Sequence, residues 1–133
     1  MLTRRSAVAV IAAVAALPLA RQVFASSTAA TPYSPAAFKA AQGAGKPILV
    51  AIHAAWCPTC KIQKVILGDL LSKPEFKDMV VFRVDFDDQK DAVTGFGADM
   101  QSTLIVFKGK TEAGRTVGDT SNAGIETLLK LAV

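Results

Sequence analysis

Apolar runs along the chain predict four strands. Residues 47–52 are continuously apolar and bounded by turn residues, a pattern typical of a central strand buried on both faces. Residues 80–86 and 103–107 are two further candidates, rich in Val, Ile and Phe. Lys108-Gly109-Lys110 then predicts a hairpin turn into a fourth strand at 114–117.

Helical segments separate and follow these strands. Ser34 and Pro35 suit the N-cap and first turn of a helix, and Gly68 is expected to interrupt a second one. The predicted helices are 35–42, 58–67, 74–78, 89–95 and a last one that begins after Ser121, with Ile125, Leu128, Leu129 and Ala132 on one face. Strands and helices alternate at first, and a hairpin and a helix finish the chain. This order indicates an α/β fold without internal repeats.

Length and composition are those of one domain with an ordinary core, since the chain has 133 residues and 51% of them are hydrophobic. The formal net charge is +4, but Arg4, Arg5 and Arg21 lie in a stretch, 1–25, that has no acidic residue. The other basic residues nearly balance the 11 acidic ones and interleave with them. Because no basic face is visible, a nucleic-acid partner is not expected.

The N-terminus has the features of an export signal. Arg4 and Arg5 precede an apolar stretch, 7–20, which is shorter than the ~20 residues that a membrane-spanning helix needs. Pro18 would also break a long helix. Small residues favour cleavage after Ala25, so we expect a cleavable signal peptide at 1–25. An uncleaved membrane anchor is the alternative, and both the Sec route and the twin-arginine route stay open.

The remaining chain divides into two parts. Residues 26–34 are rich in Ser, Thr, Ala and Pro and are expected to form a flexible leader. Residues 35–133 are expected to form the single folded domain. An exported chain with this signal would be periplasmic.

The candidate chemistry lies at Cys57 and Cys60, the only two cysteines in the chain. Two intervening residues bring both thiols within one helical turn. Because Cys57 follows a buried strand and opens a helix, unpaired backbone N–H groups and the helix dipole favour its thiolate. The thiolate is the attacking species in disulfide exchange, so we expect Cys57 to be the nucleophile. Cys60 is expected to be more buried and to resolve the mixed disulfide.

Other uses of this spacing fit less well. A structural zinc site needs four ligands, and His53 is the only histidine. Haem attachment requires a histidine where Lys61 stands. An inert structural disulfide is possible, but so short a loop would add little stability. A soft-metal site remains as the alternative function, with Cys57, Cys60 and either His53 or Met100 holding Cu(I) for binding or delivery.

The segment Trp56-Cys57-Pro58-Thr59-Cys60-Lys61, between a strand and a helix, resembles the redox site of the thioredoxin family. The resemblance extends over roughly 34–132, including the strand Lys46-Pro47-Ile48-Leu49-Val50 and the closing hairpin that starts at Thr103. It implies a thioredoxin-like fold, a central mixed β-sheet of four or five strands with helices on both faces. It also implies exchange of disulfides with protein substrates. Residues 46–61 and 72–76 are similar, besides, to the reductase domains that end transmembrane disulfide-reducing proteins of bacterial envelopes.

The resemblance assigns roles to several residues. It implies substrate binding by Trp56, Ser102 and Thr103, although Trp56 could equally be a packing residue. Ser102 stands where the family has a cis-proline, and a cis bond before serine would cost ~2.5–4 kcal/mol, so a trans bond and a differently shaped loop are expected.

Ala51 stands where the family has a buried acid that accepts a proton. His53, Lys61 and Arg83 are candidates for tuning the dithiol, each against the alternative of an ordinary structural or solvated residue.

These observations predict an exported thiol–disulfide oxidoreductase without a cofactor or metal. Its expected partners are protein thiols and disulfides, and it is expected to act as a monomer. Because the compartment is oxidising, a reductase there would need an electron donor, for which a membrane protein is the candidate. Neither the direction of the reaction nor the substrate protein follows from the sequence.

Overall fold

The computed structural model of the protein describes residues 29–133. The predicted signal peptide, 1–25, and the first part of the predicted leader lie outside the described residues. Within 29–133, no helix combines the length and the apolar character that a membrane crossing requires.

Five strands and four α-helices make up the described part of the chain. The strands are β1 (Thr31–Pro32), β2 (Pro47–His53), β3 (Val80–Asp85), β4 (Thr103–Lys108) and β5 (Thr111–Val117). The helices are α1 (Pro35–Gly43), α2 (Pro58–Leu71), α3 (Lys90–Gly95) and α4 (Asn122–Lys130), with a 3₁₀ turn at Pro74–Phe76.

The strands form one mixed sheet in the order β1-β3-β2-β4-β5. β1 and β2 pair with β3 in parallel, whereas β2–β4 and β4–β5 are antiparallel pairs. β2 lies at the centre, and its burial on both faces agrees with its continuous apolar sequence. The predicted mixed sheet of four or five strands is therefore confirmed.

Helices cover both faces of this sheet. One face packs against α2 and α4 in a mostly aliphatic cluster that includes Leu49, Leu70 and Ile125. The other face packs against α1 and α3 in a cluster that includes Val50, Phe82 and Phe107. Successive β2 residues thus enter opposite cores, as the two-residue period of a strand requires.

Three elements differ from the sequence-based expectation. Gly68 does not interrupt α2, which continues to Leu71, because a helical glycine costs only about 1 kcal/mol relative to alanine and tertiary packing outweighs it. Thr31–Pro32, expected in a flexible leader, pairs with β3 as the edge strand β1. β5 begins at Thr111 instead of Gly114, with a register shift against β4 at Val106 and Phe107.

Candidate active site

Cys57 and Cys60 lie at the start of α2, directly beyond the end of the central strand. The loop after β2 closes with a hydrogen bond from the Cys57 N–H to the Ala54 carbonyl at 3.1 Å. Cys57 is the N-cap of α2, and Pro58 occupies the first turn, where its missing N–H leaves no partner unsatisfied. The two cysteines form a disulfide with a Cα–Cα distance of 5.3 Å. The predicted proximity of the two thiols is confirmed.

The Cys57 sulfur is the acceptor that caps the helix. The backbone N–H of Cys60 donates to Cys57 Sγ at 3.1 Å. A thiolate accepts such a bond more strongly than a thiol does, and the positive end of the helix dipole lies at the same place. Both effects favour an ionised Cys57 once the disulfide is reduced.

Burial does not separate the two cysteines in the expected way. Cys57 is 2% exposed and Cys60 is 8% exposed, so the expectation that Cys60 is the more buried thiol was wrong. The reason is packing: both sulfurs belong to a small cluster with Ala54, and Phe86 packs against it.

Trp56 stands at the surface beside the dithiol. Its side chain is 57% exposed, and its indole N–H donates to Asp87 Oδ2 at 2.8 Å. Asp87 in turn belongs to a turn in which Asp85 Oδ1 accepts the N–H groups of Asp87 and Asp88, both at 2.9 Å. The indole ring is therefore held in place while most of its surface stays open to a partner.

The loop before β4 has its own geometry. No cis peptide bond occurs within 29–133, and Ser102 has φ 57°, in the left-handed region that serine rarely occupies. Proline could not take this φ, because its ring holds φ near −65°. Ser102 and Thr103 are both buried, and the Thr103 hydroxyl donates to the Met100 carbonyl at 2.7 Å. The exposed side chain of this loop is Met100, at 48%.

Gln63 is a site residue that the sequence reasoning missed. It is 3% exposed, and its Nε2 donates both to the Ser102 carbonyl at 3.1 Å and to the Asp119 carbonyl at 2.9 Å. The Ser102 carbonyl also accepts the N–H of Gly118 at 2.9 Å. One amide thus ties α2 to the two loops that flank β4 and β5. The available signal was a polar residue at a position three after Cys60, on the buried face of α2.

A cavity of about 390 Å³ lies between α2 and strands β2 and β3, and Cys60 forms part of its wall. The three predicted tuning residues, His53, Lys61 and Arg83, all line this cavity, together with Lys64. Arg83 lies opposite Ala51 in the parallel ladder, and Asp85 lies opposite His53. The structure therefore brings the candidate tuning residues together, on the Cys60 side of the dithiol.

Burial lowers the pKa of His53, and the charges of Arg83 and Lys64 lower it further against the opposing effect of Asp85. His53 is therefore held in its neutral form at neutral pH. As for a metal, no group of three or more His, Cys, Asp and Glu side chains lies close enough together to hold one within the described residues. A Cu(I) site formed by Cys57, Cys60 and either His53 or Met100 therefore stays a hypothesis, because no such cluster supports it.

Comparison with known proteins gives the family. The family model described as "Thioredoxin" matches residues 30–131 of this chain. The chain belongs to the thioredoxin family. With its Cys57–Cys60 pair at the start of α2, this thioredoxin-family protein is a thiol–disulfide oxidoreductase.

Relatives support the same assignment. The chain is 30% identical to a thioredoxin H-type of Brassica campestris over 92 residues, which cover 69% of this chain and 73% of the relative. A crystal structure of Trxlp from Edwardsiella tarda EIB202 is 42% identical, with a TM-score of 0.74, and the match covers 76% of this chain and 98% of that one. A Malassezia sympodialis thioredoxin has a TM-score of 0.65 at 22% identity, covers 73% of this chain and 86% of its own, and shares the fold.

Proposed function

We propose that this thioredoxin-family protein is exported and exchanges disulfides with proteins of the bacterial envelope. Cys57 attacks the substrate disulfide, and Cys60 resolves the mixed disulfide that forms. The N-terminal stretch 1–25, with Arg4 and Arg5 before an apolar segment, supports export. The reaction itself requires only the two thiols and no bound cofactor.

The hydrogen bond from the Cys60 N–H to Cys57 Sγ is the observation that carries the assignment of roles. Cys57 is the sulfur that the helix N-terminus stabilises as an anion, so it is the better leaving group and the species present as thiolate. Cys60 lies one turn further into α2, where it faces the cavity and lacks this stabilisation.

The surface around the dithiol suits a polypeptide substrate. Trp56 is more than half exposed directly before Cys57, and Met100 is nearly half exposed on the loop that Gln63 ties to α2. An exposed aromatic ring and an adaptable methionine are typical of surfaces that accept varied peptides. Ile62, half exposed on α2, adds to the apolar surface of the same helix.

Substitution of each cysteine tests the roles. Cys57→Ser is expected to abolish thiol-dependent reduction of a protein disulfide, because no thiolate remains to attack. Cys60→Ser is expected to accumulate mixed disulfides with envelope proteins, because the resolving thiol is absent. The double variant, Cys57→Ser with Cys60→Ser, is the control and should trap nothing. Trapping through Cys60 in the Cys57→Ser variant, at the level of Cys60→Ser, would reverse the assignment.

Export has its own experiment. The mature protein is expected in the periplasmic fraction with an N-terminal residue near Ser26. Replacement of Arg4 and Arg5 by Lys separates the two routes, since the twin-arginine route is expected to fail and the Sec route to continue. Full-length chain in the membrane fraction would support the uncleaved anchor instead.

The reduction potential of the Cys57–Cys60 couple decides the direction of exchange. A potential well below that of the envelope would indicate a reductase supplied with electrons by a partner, for which a membrane protein is the candidate. A high potential would indicate an oxidant.

A further inference from the structure

We propose that the cavity beside Cys60 is a binding site for a small monocarboxylic acid with a short apolar chain. We infer further that the bound carboxylate accepts the proton of Cys60 during resolution. The proposed binding site depends only on the cavity and its lining residues. The proposed proton transfer also rests on the roles proposed above for the two cysteines.

The position of the cavity gives it access to the chemistry. Its wall includes Cys60 but not Cys57, so a ligand there contacts only the resolving side of the pair. Its volume of about 390 Å³ lies within the range of roughly 300–1,000 Å³ typical of small-molecule sites.

The charge of the wall is one-sided. Lys61, Lys64 and Arg83 line the cavity, and no aspartate or glutamate does. The ion pairs within 29–133 involve none of these three cations. Residues 1–28 contain no acidic residue that could serve as a partner. Arg83 is partly buried, whereas Lys61 and Lys64 are exposed to solvent. A partly buried cation beside a partly enclosed space attracts an anion more strongly than a cation in open water does.

The nearest acid along β3 is Asp85, and its negative charge reaches His53. Asp85 follows Arg83 by two residues, but its Oδ1 accepts the N–H groups of Asp87 and Asp88 at 2.9 Å each. Asp85 does not line the cavity. His53 does, and it is neutral for the reasons given above, so it offers a hydrogen-bonding group without adding a charge.

Much of the remaining cavity wall is apolar, which favours a ligand that carries a short apolar chain besides its carboxylate. Leu67 and Leu71 from α2, Val81 from β3 and Leu104 from β4 line it, and Ala51 contributes only a methyl group. An inorganic anion would leave this surface unused, whereas a short alkyl chain would be removed from water against it.

The proton balance of the resolving step explains what the ligand could do. Cys60 must lose a proton before it attacks Cys57 Sγ in the mixed disulfide. The proton passes to the bound carboxylate, the Cys57–Cys60 bond forms, and the bond between Cys57 and the substrate sulfur breaks. The substrate leaves as a thiolate, and the carboxylic acid then gives its proton to water. No other oxidant or reductant is needed.

Calorimetric titration with butyrate tests the site directly. The oxidised full chain is expected to bind butyrate saturably, and butylamine, of opposite charge, is expected not to bind. Arg83→Gln should weaken butyrate binding about tenfold or more, because a charge-assisted hydrogen bond is lost. Lys110→Gln, which removes a positive charge from the exposed hairpin turn, should leave binding unchanged. If butyrate binding does not saturate, or if both variants lose the same affinity for butyrate, the proposed site is wrong.

The rate of resolution tests the proton transfer. Butyrate is expected to accelerate release of substrate from a preformed mixed disulfide several-fold, along the binding curve, whereas chloride at the same ionic strength does not. Ala51→Asp places a carboxylate in the cavity wall and should remove the dependence on butyrate. If butyrate binds but does not accelerate substrate release, the proposed proton transfer is wrong and the proposed binding site still stands. A failure of Cys60→Ser to trap substrates would overturn the proposed roles and would not affect butyrate binding.

Discussion

The two faces of the sheet are built in different ways. On the α1 and α3 side, five aromatic rings contact one another with centroids 5.2–6.2 Å apart, mostly edge to face: Tyr33, Phe38, Phe82, Phe96 and Phe107. On the α2 side, the core is mostly aliphatic, with Phe76 as its aromatic member, and a partly open cavity of about 390 Å³ lies beside Cys60. Aromatic pairs add stabilisation beyond their buried area, whereas a cavity open to solvent leaves part of its apolar wall in contact with water.

This difference separates stability from chemistry. The aromatic cluster joins β3 and β4 to α1 and to the end of α3 without any residue of the dithiol. The α2 face leaves a partly open cavity, and that cavity gives Cys60 a partly polar surrounding in place of tightly packed side chains. A redox pair needs such access, because one of its thiols must lose and regain a proton at each turnover.

Phe82→Ala should have the largest effect on stability. Phe82 is 3% exposed and contacts Tyr33 and Phe38, so its truncation should cost about 3–5 kcal/mol in the free energy of unfolding. Val81→Ala, on the cavity side of the same strand, should cost only roughly 1–2 kcal/mol. Urea unfolding measures both, and equal losses would show that the two faces do not differ in this way.

Gln63→Leu tests how the α2 face holds the loop before β4. The Asp119 carbonyl loses its Gln63 partner and the Ser102 carbonyl keeps only the Gly118 N–H, so a loss of about 1–3 kcal/mol is expected. The loosened loop should raise KM for a protein disulfide while leaving the rate with a small disulfide unchanged. Val65→Leu, exposed on the same helix, is the control and should stay within about 0.5 kcal/mol. Equal changes in both variants would argue against a positioning role for Gln63.

Gly68→Ala should stabilise the protein. A Cβ at Gly68 meets no atom within 4 Å, and alanine in a helix is favoured over glycine by about 0.5–1 kcal/mol. Gly124→Ala in α4 is the matched contrast and should destabilise, because its Cβ would collide with the Asp119 carboxylate and the Ser121 hydroxyl that caps α4. Thermal unfolding compares the two, and a gain from both would mean that the crowding at Gly124 is relieved at no cost.

His53→Gln should give the smallest effect, visible only as a pH dependence. The pKa of His53 in the folded chain lies below its unfolded value of about 6.5, chiefly through burial and then through Arg83. As pH falls from above the unfolded pKa toward the lower folded pKa, His53 takes up a proton in the unfolded chain first. Protonation of His53 therefore lowers the stability of the folded chain on acidification. The variant should therefore lose stability less steeply below about pH 7 in urea unfolding. An unchanged slope would show that His53 is not the group responsible.

Most of the secondary structure and the position of the redox pair followed from the amino-acid sequence alone. Runs rich in apolar residues predicted β2, β3 and β4, because a strand covered on both faces buries mostly apolar side chains. Cys57 and Cys60 were found because two residues of spacing place two thiols in one helical turn. Ser34 and Ser121 predicted the starts of α1 and α4, since capping is a local hydrogen bond within three residues.

Contacts between residues that are far apart in the sequence became visible only in the tertiary structure. Gln63 contacts carbonyls 39 and 56 positions away, and no local pattern specifies such partners. His53, Lys61 and Arg83 come from β2, α2 and β3, and they share a cavity only because the parallel ladder places Ala51 opposite Arg83 beneath α2. The burial of Cys57 depends likewise on Phe86, which directly follows β3 and packs against the cluster that holds both cysteines. Local propensity acts within a few residues, whereas a cavity and its charges arise from the packing of whole elements.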